Sequence, residues 1–256
     1  MSTPRIEAVA AALLRAREQF QLADSTDLAD ALSTDEDAYA VQDAVASALH
    51  WYDHMPPHHW KSGGASRNAA LMHAPLPPAG VWSSGASAED WPFTLRGIEV
   101  EVALRLERPV DAALAATLDD SRAQSLIEAM AVSIEVVDSR WLQGADAPAL
   151  LRLADLLSHG ALVLGDWTPY APRDWANQSC RGEIGEREPV ERRGTHSLGD
   201  PAWLLPQWLR HATRSGRSLA AGTVVTTGSW VGVLPAGPGE HVSAVFDGIG
   251  SATLQL

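Results

Sequence analysis

One cysteine, Cys180, serves a chain of 256 residues, so no internal disulfide can form. That usage fits a reducing compartment, and a cytoplasmic location is expected. Nothing near Cys180 marks its thiol as activated. Basic residues are also scarce: 19 lysines and arginines face 32 aspartates and glutamates, a formal net charge of -13. A nucleic-acid partner is therefore not expected, because no basic surface is available to neutralise phosphates. An anionic membrane surface is disfavoured for the same reason. No apolar run approaches the ~20 residues of a membrane span. Met1–Arg15 lacks the basic-then-apolar pattern of a secretory leader, and none is expected. There is no GxSxG elbow, no P-loop and no GxGxxG opening a helix. Phenylalanine and tyrosine number three each against ten tryptophans. Most of those indoles are expected in a core or a subunit interface.

What is present is ample apolar material, 46% of the chain, enough to bury a sizeable core. Thr3-Pro4 is a helix start, and Ile6, Val9, Ala10, Leu13 and Leu14 share one helical face. A second helix is expected from Ser33-Thr34, with Asp35, Glu36 and Asp37 at the positive end of its dipole. It should end before Pro56-Pro57. From about residue 60, short apolar runs alternate with Gly- and Pro-rich turns, which predicts β structure. Two helices are expected to interrupt it, Asp119–Val132 and Ala202–Ser215. The 183–201 stretch reads as a mobile loop or exposed hairpin. Strands are expected near 223–227, 241–246 and 251–256. The division is a helical segment, 1–58, and a β-rich part, 59–256, forming one structural unit.

Within this pattern, GIEVEVALRL (97–106) alternates strictly and predicts a strand. Glu99 and Glu101 then point the same way, roughly 6.6 Å apart at twice the strand rise. Neighbouring carboxylates repel and glutamate is depleted in strands. A solvated face explains the pair, with Arg105 softening the repulsion. A bound divalent cation is the sharper explanation, since hard cations take carboxylate oxygens, though for an isolated pair the solvated face is preferred. The pair alone leaves both open. In IEVVDSRW (134–141), Glu135 is a third carboxylate in an apolar run. It needs a metal or an ion pair, for which Asp138 and Arg140 are near.

HHWKSGGASR (58–67) places Lys61 beside Gly63-Gly64 and Ser66, on an expected turn where backbone can approach a ligand. His50, His54 and His58 are spaced by four, but Pro56-Pro57 should break any helix joining them, so a histidine metal site is not expected. His54, His58 or His59 remains a candidate acid or base.

AYAVQDAVA (38–46), WKSGGAS (60–66), GIEVEVAL (97–104), IEVVDSRW (134–141), GALVLG (160–165) and the tail from Gly222 to Leu254 occur in that order. Together they resemble the 2-keto-4-pentenoate hydratase and 4-oxalocrotonate decarboxylase branch of the fumarylacetoacetate hydrolase superfamily. The resemblance covers nearly the whole chain. It implies an α+β fold with a mixed β-roll or barrel core and an N-terminal helical appendage. It implies Mg²⁺ or Mn²⁺ held by Glu99, Glu101 and Glu135, with Lys61 beside the substrate. It makes Ser66 and Ser158 substrate-binding candidates. The implied chemistry is a lyase reaction, hydratase-like, on a 2-oxo or 2-hydroxy-dienoic acid through an enolate that the metal stabilises. Decarboxylation or C–C hydrolysis can use the same enolate. The implied assembly is a homo-oligomer or a complex with a related subunit.

The departures are specific. Where relatives carry an acid in a string like PDYGV, this chain has Pro77-Pro78-Ala79-Gly80-Val81. Their ADNASSG is Ala154-Asp155-Leu156-Leu157-Ser158-His159-Gly160. A common Thr after Trp230 is Val231. Either the substrate is more apolar, or His159 or one of His58 and His59 takes over proton transfer, or activity is reduced; a changed substrate is the reading preferred. Trp82 and Trp91 are expected to wall a more apolar pocket. A catalytically weak partner subunit or binding protein is the competing class.

Overall fold

A computed structural model describes residues 3–53 and 55–256. His54 lies outside the described residues. Two helices open the chain, α1 (Thr3–Gln19) and α2 (Asp35–Ala48). Thr34 caps α2 in a reciprocal box: its hydroxyl accepts from Asp37 N–H while the Asp37 carboxylate accepts from Thr34 N–H. The strands follow as β1 (His59–Gly63), β2 (Met72–Pro75), β3 (Val81–Ser83), β4 (Ala86–Ser87), β5 (Gly97–Leu106), β6 (Ile127–Val137) and β7 (His159–Leu164). After them come β8 (Thr168–Pro169), β9 (Ser179–Ile184), β10 (Val190–Arg193), β11 (Val224–Thr226), β12 (Leu234–Pro235), β13 (His241–Phe246) and β14 (Gly250–Gln255). Short helices α3 (Ala112–Ala116), α4 (Asp120–Gln124), α5 (Ala149–Ala154) and α6 (Leu205–Ala212) lie between them.

Among the described residues the strands form two mixed sheets. The larger runs β2-β1-β11-β5-β6-β7-β3, with β12 on β5 and β8 on β6; the smaller runs β10-β9-β13-β14-β4. Ile98, Val100, Val102 and Leu104 of β5 join Val132, Ile134 and Val136 of β6 in a buried cluster with Val242, Ala244, Phe246, Ala252 and Leu254 of the smaller sheet. The alternation that predicts β5 thus puts its apolar face on the core. The sheets approach closely at Gly165, where a Cβ would stand 2.2 Å from Ser251 O. A second cluster packs α1 and α2 on α5 and Trp141 through Val9, Leu13, Val41, Val45 and Leu151.

The α+β architecture with leading helices is as expected, and the 183–201 stretch holds the end of β9, its turn and β10. Two local readings need correction. Helix at Asp119–Val132 holds only for α4; from Ile127 the chain is strand. The spacing of Leu126, Ile127 and Met130 suits either period. A ladder running from Gly97↔Val137 to Leu106↔Ile127 decides for β. Lys61 lies within β1, paired to Ala74 and Thr226, rather than on a turn.

Candidate active site

Register brings the three glutamates together. Glu99 stands opposite Glu135 in the antiparallel β5–β6 ladder, and Glu101 stands opposite Ser133. Side chains opposite one another on one face are neighbours, so strands distant in sequence deliver carboxylates to one spot. Candidate ligand oxygens from Glu99, Glu101 and Glu135 all lie within 4.8 Å of one another. Glu101 and Glu135 are 1% and 0% exposed, and Glu99 is half-buried. The face is therefore not solvated. Arg105 does not soften the repulsion there: it pairs with Glu128 and lies 4.5 Å from the Trp167 ring centroid.

Each acid has distinct partners. Glu135 Oε1 accepts from Lys61 Nζ, and from His159 Nδ1 at 3.0 Å, while its Oε2 has no hydrogen-bond partner among the described residues. The Asp138 and Arg140 pairing open to Glu135 is not used. Asp138 accepts from Thr94 and Leu95, and Arg140 binds Asp155 at 2.6 Å. Glu101 Oε2 accepts from the Thr226 hydroxyl and from Gly228 N–H at 3.0 Å. With that proton committed, Thr226 Oγ1 accepts from Ser133 Oγ at 2.9 Å. Thr226 and Gly228 belong to the TTGS string of the tail, which the antiparallel β11–β5 pairing brings beside Glu101.

The electrostatics follow from burial. Burial, then Glu101's charge, push Glu99 up to about 8. Burial and Glu135 push Glu101 up to about 7. Burial opposes the Glu135 anion, but Lys61 and His159 outweigh it and hold the group below its usual value. Burial likewise opposes the Lys61 ammonium, and Glu135, Glu99 and Glu101 together hold it above its usual value. Burial lowers His159 despite Glu135, favouring neutral imidazole. With Nδ1–H donating to Glu135, that imidazole has its lone pair at Nε2.

A loop closes the site. Leu156, Leu157 and Ser158 are consecutive left-handed residues with φ of 54°, 57° and 58°. Such residues cost roughly 1–2 kcal/mol each when not glycine. The turn aims Leu157 O at Lys61 Nζ, 3.3 Å away, and Ser158 O at Asp138 N–H, 2.7 Å away. Ser158 and Glu99 both line a cleft of about 440 Å³ with Leu95, Leu157, Val233 and Arg152. A Cβ on Gly80 would stand 3.9 Å from His159 Nε2, so the Pro77–Val81 string packs against that histidine.

Not every candidate converges. Ser66 sits in the loop after β1, its hydroxyl accepting from Asn68 N–H at 3.3 Å. His58 and His59 line a separate cavity with Arg105 and Trp167. Trp82 meets Trp91 edge to face with ring centroids 5.0 Å apart, and Trp91 lines a second cleft with Trp51 and His159 rather than the Glu99 cleft. Cys180 is buried and its thiol is pushed up to about 11 by burial, consistent with an inert group.

Residues 56–256 match the family model for the fumarylacetoacetate (FAA) hydrolase C-terminal region. The chain belongs to the fumarylacetoacetate hydrolase family. It is 33% identical over 163 residues to the 2-keto-4-pentenoate hydratase of Burkholderia vietnamiensis (strain G4 / LMG 22486), covering 60% of this chain and 58% of that protein. It is 30% identical over 162 residues to 2-keto-4-pentenoate hydratase 1 of Dechloromonas aromatica (strain RCB), covering 61% and 58%. The chain thus spans 58% of the length of these curated relatives. Among solved structures it resembles 4-oxalocrotonate decarboxylase from Pseudomonas putida G7, complexed with magnesium and adipate. The TM-score is 0.84 at 18% identity, over 100% of this chain and 98% of that one. A 2-hydroxyhepta-2,4-diene-1,7-dioate isomerase from Mycobacterium marinum matches with a TM-score of 0.60 at 18% identity, over 78% and 74%. The solved structures establish a shared fold.

Proposed function

We propose that this protein is a divalent-metal-dependent enzyme of the hydratase kind, acting on a 2-oxo or 2-hydroxy-dienoic acid. The carrying observation is the charge balance at Glu99, Glu101, Glu135 and Lys61. One ammonium faces three clustered carboxylates, which leaves two negative charges uncompensated when all are ionised. A divalent cation carries that complement. The donor set is oxygen only, which suits Mg²⁺ or Mn²⁺ over softer metals. The partnerless Glu135 Oε2 is the kind of buried polar atom that a ligand bond satisfies. Curated relatives named as hydratases support the reaction class.

When bound there by Glu99, Glu101 and Glu135, the metal supplies Lewis acidity that stabilises negative charge on the 2-oxygen of an enolising 2-oxo acid. The protein's own groups do the rest. Thr226 and Gly228 N–H fix the Glu101 carboxylate. Lys61 keeps one positive charge beside the acids and remains protonated, a donor for a developing oxyanion. His159 donates Nδ1–H to Glu135 and helps fix that carboxylate, while its Nε2 lies against Gly80 on the side of the cleft that holds Trp51 and Trp91. Ser158 takes a place along the substrate cleft.

Decarboxylation is the second reading. The full-length fold match to a decarboxylase favours it. Calorimetry on chelator-treated protein tests the common core: Mg²⁺ or Mn²⁺ should bind, more tightly with oxalate present, and Glu99→Gln should abolish this. No metal binding under any condition rejects the reading. Product analysis on a panel of 2-oxo acids then separates water addition from CO₂ loss.

A further inference from the structure

The segment between β10 and α6 turns three consecutive side chains onto the loops that carry the candidate site. Thr195 Oγ1 donates to Trp230 O at 2.6 Å, His196 Nε2 to Thr227 O at 2.8 Å and Ser197 Oγ to Gly64 O at 2.8 Å. The middle contact reaches furthest into the site. Thr227 C=O and Gly228 N–H are the two ends of one peptide group, which is planar and turns as a unit. Its oxygen accepts from His196, and its N–H donates to Glu101 Oε2 at 3.0 Å. Gly228 has a φ of 104°, and glycine takes positive and negative φ about equally, so the backbone alone does not select this orientation. A hydrogen bond at the oxygen does, and it also polarises the peptide, which strengthens the N–H as a donor. His196 is itself held. It is 5% exposed, and its ring centroid lies 5.5 Å from that of Trp230. A carbonyl only accepts, so the proton sits on Nε2, and Nδ1 accepts from Leu198 N–H at 3.3 Å.

We propose that His196 is a positioning residue for Glu101, acting through the Thr227–Gly228 peptide. It sets where Gly228 N–H points, and so how the Glu101 carboxylate is turned toward Glu99 and Glu135. That this carboxylate then serves a cation rests on the metal-site reading; the ordering of the peptide rests on His196 and its contacts alone.

Two variants test it. His196→Phe keeps a flat ring and loses the donor; His196→Gln keeps an N–H for the carbonyl. In calorimetry on chelator-treated protein, His196→Phe should bind Mg²⁺ about tenfold more weakly than wild type, the scale for a group that orients a metal ligand from behind. His196→Gln should recover most of that loss. Without metal, the Gly228 amide should exchange its hydrogen with solvent about tenfold faster in His196→Phe, a local opening. The amides of the β5–β6 ladder should keep their protection, which a general loosening of the fold would not allow. Unchanged Mg²⁺ affinity in His196→Phe, or an equal loss in both variants, overturns the inference and leaves the metal reading standing. If the wild type binds no Mg²⁺, the metal reading falls, and the exchange measurement alone decides whether His196 orders the peptide. Should His196→Phe not fold, nuclear magnetic resonance on the wild type decides. The His196 Nε2–H and Gly228 N–H signals should move together as Mg²⁺ is added, and a fixed His196 signal overturns the inference.

Discussion

At the scale of the residue, Lys61 is the hinge of the site. It shares a buried carboxylate with His159 and donates to Leu157 O. Removing one partner of a buried ion pair typically costs ~3–5 kcal/mol, because the other charge is left bare. Lys61→Met should therefore destabilise the metal-free protein by about that amount, and saturating Mg²⁺ should recover part of it. Urea melts with and without Mg²⁺ check this; an equal loss under both conditions would separate Lys61 from the metal site. Glu101→Gln should act in the opposite sense. It removes a repelled, buried anion, so the metal-free protein should gain stability at pH 8 while Mg²⁺ affinity falls. That fall should exceed the roughly 10–100-fold that losing an outer-shell partner costs. Much of this centre was legible in the sequence, since Glu99 and Glu101 announce themselves by breaking a strand's composition. Thr226 and Gly228 did not, because a hydroxyl and an N–H acquire a role only from what is folded against them.

At the scale of the element, register carries the site, and register is protected by close approach. Gly165 follows β7 directly, where its N–H bonds Val132 O and a Cβ would meet Ser251 O at 2.2 Å. Gly165→Ala should push the sheets apart and cost about 1–3 kcal/mol or more, the range for overpacking. Circular dichroism melts measure it, and an unchanged midpoint would show that the backbone yields freely there. Far from the site, Thr34→Ala should cost about 1 kcal/mol through the lost α2 cap and leave Mg²⁺ binding untouched. Caps and alternating strands were legible because their signals are local. The 127–132 segment was not, since its apolar spacing fits both periods and only pairing with β5 chooses. The left-handed run at Leu156–Ser158 was also hidden, because leucines advertise no such turn.

At the scale of the whole molecule, two sets of buried groups pull stability in opposite directions with pH. Burial holds His73 down to about 3 and His196 down to about 4. The unfolded chain takes up protons at these histidines below about 6.5 while the folded one resists, so stability is full above that pH and is lost as pH falls towards 4 and 3. Glu99 and Glu101 are raised to about 8 and about 7. Their protonated forms suit the fold, so that contribution is complete below the unfolded carboxylate range near 4.5 and is lost as pH rises through 7 and 8. The metal-free protein should therefore be most stable near the middle of this window and weaken on both flanks. Mg²⁺ binds the deprotonated acids, so it should restore the alkaline flank and leave the acid flank unchanged, with proton release on binding between pH 6 and 8. A melting-temperature profile from pH 4 to 9, with and without Mg²⁺, reads both flanks at once. Because His196 bonds Thr227 O between the two groups that hold Glu101, and His73 bonds Ser62 beside Lys61, a shift of the acid flank by Mg²⁺ would show that these histidines feel the metal centre. No such shift would show that the acid cluster titrates as a site of its own within the shared fold.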